Sequence, residues 1–141
     1  MAENQLNGQA LTEALQKEEE WAKAIIFDED LNIIAQKNCQ ASQDELKAYL
    51  TAYDSRDSTI GAGFVLLNNH YDVHRFHPPL IYGRRGDADN GEGISLAVGT
   101  PTNQTKKVYL IITYELPIVS ARAVPQQINF YNTQIGELQK F

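Results

Sequence analysis

The stretch NNHYDVHRFHPP, residues 68 to 79, holds all three histidines of the chain with an aspartate among them. Imidazole and carboxylate are ligands that zinc takes. On a helix His70 and His74 would share a face and converge on one ion. On a strand, four residues span about 13 Å, far beyond zinc–nitrogen bonds of about 2 Å. The flanking residues decide for the strand. Asn68 and Asn69 tolerate positive φ and suit a hairpin turn, while Pro78 and Pro79 end the ladder by removing its donors. On such a strand His70, Asp72 and His74 face one way and Tyr71, Val73 and Arg75 the other, with His77 out of phase. The segment is therefore read as free of metal.

Other chemistries fail on spacing. Asp87 to Gly91, DADNG, is one residue short of the opening of a calcium loop, and Val98 stands where its closing glutamate belongs. GRRGDADNGEG has the glycines of a phosphate loop but neither its Lys-Ser/Thr pair nor a strand-to-helix setting. Cys39 is the lone cysteine, so it has no partner for a disulfide or a CxxC metal pair and is read as a packing residue. No serine or cysteine has a histidine partner fixed by spacing. The chain is read as a non-enzyme without metal or cofactor.

The elements that must carry these residues follow from periodicity. Leu11, Ala14, Leu15, Glu18 and Ala22 recur at helical spacing. WAKAIIFD and LNIIAQ, parted by Asp28, Glu29 and Asp30, form a hairpin. SQDE, Ser42 to Glu45, is a capping box in which Ser42 accepts a backbone N–H and Glu45 reaches back; Leu46, Tyr49, Leu50 and Tyr53 are the stripe of the helix it opens. DSRDSTIG reads as a polar loop. AGFVLL, the histidine strand, LIYGRR, GISLAVG and KVYLIITYEL are strands separated by turn residues. Pro125 opens a last helix at a tolerated first-turn position, with Ile128, Tyr131, Ile135 and Leu138 on one face. No crossover helices part the later strands. The expected fold is α/β of the α+β kind, a central, mostly antiparallel sheet of about six to seven strands flanked by helices. Residues 1–8 read as a flexible extension and 9–141 as one domain.

Composition narrows the function. The net charge of -6 argues against a nucleic-acid-binding domain, whose footprint is a basic excess. No apolar run approaches the ~18 residues of a membrane helix. The polar start MAENQLNGQA lacks the basic and apolar regions of a secretory signal, which points to the cytoplasm; a monomer is expected.

Four stretches carry a family resemblance. WAKAIIFDEDLNIIAQ resembles the first hairpin of profilins, although their second strand usually ends in Trp-Ala. GAGFVLLNNHYDVHR resembles their glycine-containing strand, polar turn and return strand ending in a basic residue. LIYGRRGDADNGEGISL resembles the basic hairpin that follows, and KVYLIITYELPIVSARAVPQQINFYNTQIGEL the last strand, Pro-containing loop and C-terminal helix. The order is unbroken over about residues 20 to 141. The longer glycine-acid loop at 86–93 and the N-terminal extension suit a divergent, archaeal (Asgard-type) profilin.

The resemblance implies a cytoskeletal protein that binds the actin monomer, suppresses spontaneous nucleation and permits barbed-end growth. Carried over residue by residue, the actin-binding positions are His70, Arg75, Arg84, Arg85, Gln126 and Asn129, with Lys106 and Lys107 as a basic rim. Physical reasoning agrees, since these cations fall on or beside neighbouring strands of an acidic chain, and a local basic cluster steers a charged partner. The resemblance also implies a surface for proline-rich peptides. Here the sequence departs: the first helix has no aromatic before Trp21, Ile34 replaces the usual strand tryptophan, and only Trp21 and Phe141 are available. Phosphoinositide binding, another family property, runs against the acidic balance. The same order of elements also fits a PAS-like ligand sensor or a longin or roadblock-like scaffold, which fold alone does not separate.

Overall fold

Two strands buried almost from end to end set the architecture of the computed structural model, which describes residues 6–86, 91–101 and 104–141. β6 (Glu92–Pro101) is buried at every residue but Thr100, and β7 (Val108–Glu115) at every residue but Glu115. Strands read this way when both faces of their sheet are covered. β1 (Lys23–Asp28), β2 (Ile33–Lys37), β3 (Phe64–Leu66), β4 (Asn69–His77) and β5 (Leu80–Arg85) complete a sheet of order β2-β1-β7-β6-β5-β4-β3, with β8 (Gly136–Leu138) paired to β6. The pairings are antiparallel, in keeping with the expected class.

Alternation along the strands divides the core into two layers. One face carries Ile26, Leu110, Ile112 and Tyr114 beneath α1 (Gly8–Gln16) and α4 (Ser120–Phe130), which supply Leu11, Leu15, Ala123 and Phe130. The other carries Ile25, Phe27, Ile94, Leu96 and Ile111 against Leu46 and Tyr49 of α2 (Gln43–Leu50) and against Phe64 and Leu66. Among the described residues no helix is long and apolar enough to cross a membrane.

Several local expectations are corrected. α1 stops at Gln16, so Glu18 and Ala22 lie beyond it. Ser42 accepts from the Glu45 N–H at 3.1 Å as expected, but the Glu45 carboxylate turns away to accept from Leu67 N at 2.7 Å. Leu67 needs that acceptor because the β3–β4 turn is Leu67-Asn68, both at positive φ, one residue earlier than the expected Asn68-Asn69. α2 ends before Tyr53, whose hydroxyl donates to Pro79 O at 2.7 Å. The expected loop DSRDSTIG holds a helix, α3 (Arg56–Ala62), capped by Ser55 and closed by Gly63 at φ 71. α4 begins at Ser120, leaving Pro125 inside it, and passes through a π-helical turn, Tyr131–Ile135, before Leu138 joins a strand rather than a helix face.

β4 carries the correction with most bearing on function. Its ladder with β5 slips between Val73 and Arg75, so that Val73 opposes Gly83 and Arg75 opposes Tyr82. His74 is the extra residue of a bulge. Directly opposed residues share a face, so Arg75 leaves the side of Tyr71 and Val73, where strict alternation would put it, and joins Asp72. Among the described residues no three His, Cys, Asp or Glu side chains gather as a metal site. The calcium-loop residues Asp87 to Asn90 lie outside the described residues.

Candidate functional site

Between the β4–β5 hairpin and the first turns of α4 lies a groove of about 670 Å³. β5 contributes Tyr82 and Arg84 because they alternate to this face, and the His74 bulge adds Arg75 opposite Tyr82. Its floor is set by a missing side chain. Gly93 lies between Arg84 and Tyr114 in the sheet, and a Cβ there would come within 2.2 Å of Tyr114 Cε2. Without one, the tyrosine ring lies down over β6. Burial pushes its hydroxyl up to about 12, against the opposing pull of Arg84, so it is neutral at ordinary pH. The far wall is one face of α4, with Ser120, Ala121, Val124 and Pro125 at spacings of one, four and five residues. Pro125 offers no N–H to the carbonyl of Ala121, four residues earlier.

The groove is aromatic and aliphatic below and cationic at its rim. Among the described residues the ion pairs include neither Arg75 nor Arg84. Such a surface suits a protein face that presents carboxylates around an apolar contact, because arginine's planar fork can bond both oxygens of one carboxylate.

Arg85 is not in this groove. It alternates to the opposite face, where Nε and Nη2 lie 3.2 and 3.0 Å from Glu92 Oε1. Glu92 is only 2% exposed, and it also accepts from Lys23 Nζ at 2.9 Å and the Tyr71 hydroxyl at 2.8 Å. Burial alone would raise its carboxyl, but the bonds from Lys23 and Tyr71 outweigh that and hold it below the ordinary carboxylate range. Tyr71 is pushed up by burial and by donating to that carboxylate.

The other sequence candidates are dispersed. His70 Nε2 lies 2.8 Å from Ala62 O at the end of α3. Gln126 accepts from Trp21 Nε1 at 3.2 Å and donates to Glu20 at 2.7 Å, which ties α4 to the segment before β1. Asn129 lies on that same side and lines a polar hollow of about 290 Å³ with Glu13, Lys17 and Glu18 of the α1 region. Lys106 pairs with Asp30 at 2.7 Å, and the Lys107 N–H donates to Glu29. Both lysines precede Val108, which opposes Gly99, whereas Arg84 opposes Gly93; along β6 that separation is about 20 Å. The two aromatics also part. Trp21 is 1% exposed and meets Phe130 edge to face at 5.3 Å. Phe141 is 64% exposed and stacks on Tyr53, which belongs to the opposite core layer.

Sequence reasoning missed His74, Tyr82, Tyr114 and the Ser120–Pro125 face. Tyr82 was within reach, since it stands two residues before Arg84 in LIYGRR and must share its face. The α4 wall was hidden by the late helix start assigned to Pro125.

A second hollow, about 380 Å³, lies between α2, α3 and β3 against Ala48, Ala52, Thr59, Phe64 and Val65. It shares no residue with the basic groove.

Comparison with known proteins follows the same lines. The family model described as Profilin matches residues 8–132. No curated protein matches the sequence significantly. Among solved structures, Acanthamoeba castellanii profilin IA superposes with a TM-score of 0.70 at 20% identity, covering 88% of this chain and 93% of that one. Schizosaccharomyces pombe profilin gives 0.67 at 19% identity over 88% and 95%, and Acanthamoeba castellanii profilin II gives 0.61 at 22% over 77% and 79%. At these identities the structural likeness speaks for the fold.

Proposed function

The chain belongs to the profilin family, whose members are non-enzymatic, and from that premise we propose that it binds the actin monomer through the groove between β4–β5 and α4. Binding there suppresses spontaneous nucleation and permits barbed-end growth. The observation that carries this reading is the convergence of Arg75 and Arg84 on one groove wall, without an ion pair among the described residues, over an apolar floor. Paired basic groups speed encounter with an acidic face, and the floor supplies the desolvated contact that slows release.

Within this proposal Arg75 and Arg84 make the charged contacts, with Tyr82, Val124 and Pro125 as the apolar ones. His70 lies at the end of α3 and Gln126 and Asn129 on the α1 side of α4, outside the groove, while Arg85 is held by Glu92 on the other face of β5 and Lys106 with Lys107 sits at the far end of the sheet. Proline-rich peptides are not a ligand in this reading, because Trp21 is enclosed and Phe141 stands on the other side. Phosphoinositides would compete for the same two arginines against a net charge of -6. The protein works as a cytoplasmic monomer. We also propose an archaeal, Asgard-type origin, on the strength of the polar first residues and the glycine- and acid-rich sequence GDADNG that precedes β6.

The test is a titration of purified actin monomers from several lineages, paired with a fluorescence polymerisation assay. Delayed assembly at near-stoichiometric protein supports the reading. Unchanged assembly at a large excess over every actin removes it.

A further inference from the structure

The strongest polar cluster outside the groove lies behind it. We propose that Glu92 is a positioning residue for the partner-binding face: it clamps Arg85 on the inner side of the sheet and so holds Arg84 aimed into the groove. The actin reading supplies the partner, and the proposal rests on it for that alone.

Arg84 and Arg85 are consecutive, so fixing one fixes the side on which the other emerges. Arg85 is the last residue of β5 and opposes Glu92, the first of β6. Beyond it Gly86 turns at φ 84, outside the strand. A strand end in this position frays unless something other than its terminal ladder bonds secures it. Here Arg85 makes two contacts to one carboxylate oxygen, and its guanidinium carbon lies 5.6 Å from the centre of the Tyr71 ring. Tyr71 itself donates to the same oxygen, while Lys23 takes the other. One carboxylate thus links β1, β4, β5 and β6 at the end of the sheet where Arg84 projects.

The fold does not require an ion there. A buried charge set is commonly matched or bettered in stability by well-packed apolar residues of the same size. What apolar packing would not supply is direction: a guanidinium held by two nitrogens has a set orientation, and the adjacent backbone inherits it. Moreover, with Glu92 neutral Arg85 would lose its anionic partner, and swinging out would bring it towards Arg84, its like-charged neighbour.

The experiment uses Glu92→Gln, which keeps the shape and removes the charge, in two arms. Amide hydrogen exchange needs no partner. It should quicken about tenfold at residues 84, 85, 92 and 93 and distinctly less along the central β1–β7 pairing. Actin-monomer titration in a double-mutant cycle should show about a fivefold loss for Glu92→Gln in the wild-type background and little or none in Arg84→Ala. An equal loss in both backgrounds, or unaltered exchange at residue 84, overturns the positioning role. Should Glu92→Gln fail to fold, Arg85→Lys carries the same cycle, since it keeps the charge and loses the second contact. If the wild type binds no actin, the functional reading falls, and the exchange arm still decides whether Glu92 orders Arg84.

Discussion

Arg75 stands directly opposite Tyr82 because the β4–β5 ladder takes in one extra residue at His74. That slip reverses the facing of the residues after it and so moves Arg75 from the α2 face of the sheet to the α4 face. It has a large consequence, for it brings Arg75 and Arg84 to the same wall. Bulges are often found where a strand must re-aim a side chain, and this one re-aims a cation.

The floor of the groove depends on Gly93. Gly93→Ala would drive a methyl group into the Tyr114 ring, 2.2 Å from Cε2, and overpacking of this kind costs about 1–3 kcal/mol. The ring would be pushed from β6 towards α4. Chemical unfolding should show the loss in stability, and actin titration a parallel loss in affinity. An unaltered affinity would take Tyr114 out of the contact surface.

How far the sequence can be read depends on which interactions decide each feature. The central strands were plain, since runs such as VYLIIT have room only inside a two-layered sheet. Ser55 as a cap could have exposed α3, because its hydroxyl accepts from the Ser58 N–H at 3.2 Å, but the short helix of polar residues that follows looks like loop. The bulge at His74 left no mark, for it arises from pairing with a strand distant in sequence. For the same reason Arg84 and Arg85 looked equivalent as a dipeptide. Only alternation against a known core shows that one faces the groove and the other Glu92.

Glu92 predicts a pH dependence. Its folded carboxyl is held below the ordinary range, so the unfolded chain binds that proton more readily than the folded one. The stability it contributes is present above about pH 4.3, where the unfolded carboxylate is ionised, and is lost as pH falls through the folded value. Urea unfolding across the acid range should show wild-type stability falling more steeply than that of Glu92→Gln. Parallel slopes would mean that the carboxylate contributes nothing to acid sensitivity.

A proline-rich peptide should leave Trp21 emission unchanged. Stacking on polyproline needs an accessible ring, and this one is 1% exposed beneath Phe130. The hollow between α1 and α4 offers Glu13, Lys17, Glu18 and Asn129 in place of aromatics. A saturable change in fluorescence on titrating polyproline would show that α1 moves aside and would restore the second surface.

The two adjacent arginines should respond oppositely to the same substitution. Arg84 belongs to the groove and has no ion pair among the described residues, so Arg84→Glu should leave thermal stability nearly unchanged. It should weaken actin binding by about 2 kcal/mol if the side chain is enclosed in the complex, with slower association at low salt. Arg85→Glu instead places a second carboxylate beside Glu92, itself 2% exposed. Glu92 would keep Lys23 but lose its other cation and gain a like charge beside it, and the expected loss in folding stability is about 3 kcal/mol. Calorimetry and titration on the same pair of variants separate the two effects. If Arg85→Glu kept full stability while abolishing binding, the division of labour between the two faces of β5 would have to be reversed.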